Sequence, residues 1–166
     1  MPVTAMTVAG LVAACAQGPS VTKKAVQTEQ LQCADPAAWQ ASRSILQTTT
    51  VLKAQPIVFP LESGKSGGGG RVSGAKLTVR PPEGVTAEEL ARALQCHAAL
   101  TRLGQIDRTE VPYDPTWLPH AWVDIAVAPA GGNFVITLTT DSTHDNLRLY
   151  RRAVAFVQVQ RQLAGY

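Results

Sequence analysis

Two capping boxes constrain this chain more than any other feature. Thr86-Ala-Glu-Glu89 and Ser142-Thr-His-Asp145 each set a hydroxyl three residues ahead of a carboxylate. In such a box the hydroxyl accepts from the third helical N–H while the carboxylate reaches back to the capping residue, so a helix starts at each. The first helix is expected to run to about Leu103, where Gly104 stops it, and the second to about Val159 or beyond. A shorter one is expected from Pro36 to about Gln47, behind Asp35 as cap and Pro36 at the first turn.

Two strand-like stretches precede each box. Thr49 to Phe59 is rich in β-branched residues, and Pro56 inside it restricts it to an edge strand or two short pieces. Ala75, Leu77 and Val79 alternate with Lys76, Thr78 and Arg80 in a one-sided strand. Trp122 to Ala128 and Phe134 to Thr140 read as strands joined by the hairpin turn Gly131-Gly132-Asn133. The order α-β-β-α-β-β-α is most economically an α+β two-layer sandwich, an antiparallel sheet with helices on one face. With 166 residues, 45% of them hydrophobic, the chain can hold one modest core, placed here over residues 35–166 with a Gly-rich loop at 63–74.

Charge excludes more than it identifies. A net charge of +3 is too weak to name an acidic partner, so no nucleic acid is expected. The residues up to Asp141 carry eleven charges of each sign, which leaves the whole excess in the last helix. There Arg148, Arg151 and Arg152 share one side and read as a solvated face. Gly64-Lys65-Ser66 is not a phosphate loop, because Phe59 stands where that motif needs its first glycine. No apolar run reaches the roughly 20 residues of a spanning helix, which rules out a multi-pass membrane architecture for this stretch.

The first fifteen residues are uncharged and apolar, and Val12-Ala13-Ala14-Cys15 resembles the lipobox of bacterial lipoproteins, although Met1 is followed by Pro2 and no basic segment comes first. The resemblance implies a signal peptide over 1–14, diacylglycerol on Cys15 and a place in the bacterial cell envelope, with the outer membrane favoured. Residues 15–34, polar and free of aromatics, then read as a tether between bilayer and domain. An exported domain meets an oxidising compartment, so Cys33 and Cys96 are expected to bond, against the alternative of two inert buried thiols.

The residues that could carry chemistry are few. On the capped helix Leu90, Leu94, His97, Ala98 and Thr101 share one face, while Glu88, Arg92, Gln95, Ala99 and Arg102 occupy the other. His97 thus points inward, where a neutral core histidine is the expectation. No spacing suggests a metal or a cofactor, and no serine sits in a nucleophile elbow. The first expectation is therefore a non-catalytic domain that binds another envelope macromolecule. The alternative is a small hydrolytic or metal-binding domain using His97, His120, Asp124 or Cys96. For the binding reading, alternation sends Val123, Ile125 and Val127 to the core and Trp122 and Asp124 to the opposite face. The proline-stiffened loop holding Tyr113, Trp117 and His120 would form its rim.

Overall fold

The computed structural model describes residues 20–60, 70–80 and 82–165. The lipobox with Cys15 and the glycine run at 63–69 lie outside the described residues. Eight elements follow in order: α1 (Val21–Gln32), α2 (Pro36–Thr48), β1 (Thr50–Phe59), β2 (Arg71–Arg80), α3 (Ala87–Arg102), β3 (Asp124–Ala130), β4 (Asn133–Thr139) and α4 (Thr143–Leu163). The strands form one antiparallel sheet in the order β1-β2-β4-β3, an α+β fold with its helices on one side.

Local chemistry explains where the elements begin. Thr86 Oγ1 accepts from the Glu89 N–H at 3.2 Å while Glu89 Oε2 accepts from the Thr86 N–H at 2.8 Å, the complete reciprocal box. Ser142 caps α4 by accepting from the Asp145 N–H at 3.3 Å. Asp35 does the same for α2 through the Ala37 N–H. Asn146, one turn into α4, clamps the end of β4: its Oδ1 accepts from the Thr140 N–H and its Nδ2 donates to the Thr140 carbonyl. The start of α4 is thereby locked to the strand that feeds it.

Register sorts the side chains into two faces. Ala54, Leu77, Ile136 and Val127 lie opposite one another across the four strands, as do Pro56, Ala75, Leu138 and Ile125. Apart from the exposed Pro56, these rows pack beneath α3 and α4 with Leu90, Leu94, Leu149, Ala153 and Phe156. The row between them, Gln55, Lys76, Thr137 and Ala126, belongs to the opposite face, which no helix among the described residues covers. Both sheet edges are blunted. On β3 the outward Ile125 carbonyl accepts from Gln95 Nε2 at 2.9 Å, and Pro129, of the same parity, has no N–H to offer. On β1 Arg161 donates to the carbonyl of Leu52, the residue at which the register shifts, and Pro56 again lacks a donor.

Three expectations need correction. Residues 15–34, read as a tether, include the helix α1, which packs on α3. It escaped notice because Ala25 is its only buried residue and it carries no apolar stripe. For the same reason α3 is not two-faced: Ala99, expected on the exposed side, is buried with Cys96 and Leu100, because α1 and α2 enclose the helix on the sides the sheet leaves open. Arg71 to Gly74, placed in the Gly-rich loop, extend β2 and pair with Ile57 to Phe59. Gly74 belongs there because a side chain would run into the Leu138 carbonyl of β4.

Cys33 and Cys96 form a disulfide with Cα atoms 5.2 Å apart, tying the end of α1 to the middle of α3. They pack with Leu100 and Ile106 in a small second cluster beside the main core.

Candidate functional site

The segment from Gln105 to Val123 crosses from α3 to β3 and is held from below by a buried polar junction. Asp114 is 3% exposed and His97 1%. Asp114 Oδ1 accepts from the N–H and the hydroxyl of Thr116, both at 2.7 Å, which shapes a tight turn. Its Oδ2 lies 3.1 Å from His97 Nε2, while His97 Nδ1 lies 2.9 Å from the Ser42 carbonyl of α2. Both ring nitrogens thus face acceptors, and only a ring carrying both protons donates to both. Burial disfavours the imidazolium, but the hydrogen bond and charge of Asp114, with help from the Ser42 carbonyl and Glu110, outweigh it and raise the His97 pKa above its ordinary 6.5. His97 is therefore the inward core histidine expected, joining α2, α3 and the loop, and its carboxylate and backbone partners favour the charged form more than burial alone would allow. Sequence alone could not place Asp114 beside it.

Above this junction the chain turns sharply. Tyr113 has φ 57°, the only non-glycine residue with positive φ among the described residues, and it is 52% exposed. Four residues on, Trp117 is half-buried and ringed by arginines, with the guanidiniums of Arg108, Arg102 and Arg152 at 5.0, 5.5 and 5.7 Å from its centroid. Arg102 is a framework residue, donating to the carbonyls of Leu118, Pro119 and Ala121. Burial and the neighbouring Arg108 charge both lower its pKa. Arg152 Nε donates to the Asp114 carbonyl at 3.1 Å, so this arginine leaves the solvated face expected for it and turns inward.

The residues singled out from sequence are divided among three places. Tyr113 and Trp117 belong with the arginines. His120 and Trp122 line a small recess with Val21, Lys24 and Asp141, where Lys24 and Asp141 pair at 3.1 Å. Asp124 is exposed on the open sheet face, opposite Thr139. Trp122 itself is half-buried and packed on the core, so its expected place on the open sheet face beside Asp124 is corrected. The reason is the strand boundary: β3 begins at Asp124, so pleat alternation does not govern Trp122. Trp122→Ala is accordingly expected to lower stability by about 2 kcal/mol, short of the loss for a fully buried aromatic, as chemical denaturation would read.

Cys96 is committed to the disulfide and His97 to the buried pair, so neither joins His120 or Asp124 in one cleft. Among the described residues no group of three or more His, Cys, Asp or Glu side chains is placed to hold a metal. No helix among them is long and apolar enough to cross a membrane. What sequence reasoning missed was the arginine cluster. Arg102 and Arg108 flank the start of an aromatic-bearing loop, and that proximity was the available signal. No family model, curated protein or solved structure matches the chain.

Proposed function

We propose that this chain is a lipid-anchored bacterial envelope protein, acylated at Cys15, whose domain is a non-catalytic module binding another envelope macromolecule through the Tyr113–Trp117 segment. The observation that carries this reading is Tyr113. A left-handed backbone costs a tyrosine about 1–2 kcal/mol, yet the ring is held half in solvent over a junction too buried to rearrange freely. Strain retained at an exposed aromatic is typical of preorganised contact residues. The blunted sheet edges argue against partner binding by strand addition. The Val12-Ala13-Ala14-Cys15 box and the Cys33–Cys96 disulfide support the envelope assignment.

The test is a photocrosslinking amino acid at Tyr113, with a second at Ala126 on the open sheet face, in native membranes. Position 113 is expected to capture one discrete envelope species and position 126 none, with Cys15 carrying diacylglycerol in the recovered chain by mass spectrometry. Adducts at 126 alone, or a chain retaining Met1 to Ala14, would overturn the reading. With the crosslinker moved to the exposed neighbour Pro112, Tyr113→Gly, which removes the ring together with the strain, is expected to lose capture without lowering the thermal transition.

A further inference from the structure

Among the described residues no ion pair neutralises the arginines around Trp117, although the Asp114 charge acts on Arg152 through space. Among the described residues the ion pairs within 4.0 Å are Lys24–Asp141, His97–Asp114, His144–Asp145 and Arg148–Asp145, and none includes Arg102, Arg108 or Arg152. Three guanidiniums within 6 Å of one indole repel one another, and the indole faces offset only part of that cost. Two nearby acids make their hydrogen bonds elsewhere. Asp107, close enough for Arg108 to help lower its pKa, accepts from the N–H and hydroxyl of Thr109, while Asp114 is sealed in the His97 pair.

The donors are unequally committed. Arg102 spends its Nη groups on three loop carbonyls. Arg152 is fixed through Nε alone, which orients its fork and leaves both Nη groups without a protein acceptor among the described residues. Arg108 makes no hydrogen bond among them and is exposed. A guanidinium stacked on a ring keeps its N–H groups pointing sideways, in the geometry that grips an oxyanion.

We propose that Arg108 and Arg152, set over the Trp117 ring at 5.0 and 5.7 Å from its centroid with Tyr113 nearby, bind a phosphate monoester group. Charge selects the class: a phosphate monoester carries about −1.5 to −2 at neutral pH and offers three acceptor oxygens, whereas a carboxylate brings a single charge and two oxygens. The proposal rests on the reading of Tyr113–Trp117 as the partner-binding surface and names the chemistry recognised there. Arg102 serves as positioning residue, holding the Trp117 loop by its carbonyls.

The experiment is titration of the full chain, made soluble by Cys15→Ser, with methyl phosphate and separately with acetate, followed by the side-chain NMR signals of the arginines and the Trp117 indole. Methyl phosphate is expected to shift the Arg108, Arg152 and Trp117 signals, to bind about tenfold more tightly than acetate, and to lose about tenfold in affinity in Arg108→Gln. Arg108 is exposed and makes no hydrogen bond among the described residues, so that variant keeps the fold. Cosedimentation with phosphatidylcholine vesicles containing phosphatidic acid separates the sources. Binding to both probes assigns a lipid headgroup, and binding to methyl phosphate alone assigns a phosphate on a soluble or polymeric partner. Absence of these shifts, equal affinity for acetate, or an unchanged Arg108→Gln would overturn the site. The titration needs no partner, so phosphate binding without a Tyr113 adduct removes the partner reading and leaves the anion site standing.

Discussion

Replacing His97 by leucine is expected to destabilise the domain by about 3–5 kcal/mol, the usual consequence of stripping one member from a buried ion pair. The variant leaves Asp114 Oδ2 and the Ser42 carbonyl facing an apolar side chain, and three elements lose their shared junction. Adding Asp114→Asn is expected to recover part of the loss, because the stranded charge is gone while an oxygen remains for Thr116. The pH dependence has a definite sign. Because the folded-state pKa of His97 lies above 6.5, the folded chain binds the proton more tightly than the unfolded one. The contribution is therefore fully present below about pH 6.5 and fades as pH rises through the folded value. Denaturant titrations should show the wild-type chain losing stability in that range and His97→Leu staying flat. A slope in the variant equal to that of the wild type would assign the titration elsewhere.

Cys33→Ala is the second large perturbation. The bond joins residues 63 apart, and closing a loop of that length is worth about 4 kcal/mol in the chain-entropy account, within a usual range of 2–5. The effect is expected to be uneven. With Ala25 as its only buried residue, α1 relies on the disulfide at one end and the exposed Lys24–Asp141 pair at the other. Amide exchange in the variant should therefore accelerate first over Val21–Gln32, while the sheet and α4 stay protected. Uniform acceleration would mean that α1 is part of the cooperative core.

These two sites differ in how legible they were. The disulfide followed from the expectation of export and from cysteine arithmetic, needing no geometry. The sheet, α2, α3 and α4 followed from caps and alternation, since a capping box and a period of two are local signals. α1 was invisible because a helix that buries one alanine leaves no stripe to read. Its omission then propagated to α3, whose second buried side exists only because α1 covers it. Trp122 was misplaced by a two-residue error in where β3 begins, enough to detach it from the alternation that places Asp124 correctly. The Trp117 cluster joins residues from α3, the loop and α4, and His97–Asp114 bridges a helix and a loop, so neither could be found without the tertiary fold.

The start of α1 also decides how far the domain can stray from a lipid on Cys15. A leash of residues 15–34 would have allowed a contour of roughly 70 Å, enough to roam well away from its leaflet. With the helix capped at Ser20, five residue steps remain, at most about 18 Å. An acylated chain of this design hovers within about one domain's width of the headgroups. On the proposed acylation of Cys15, a partner would meet the domain at the bilayer surface.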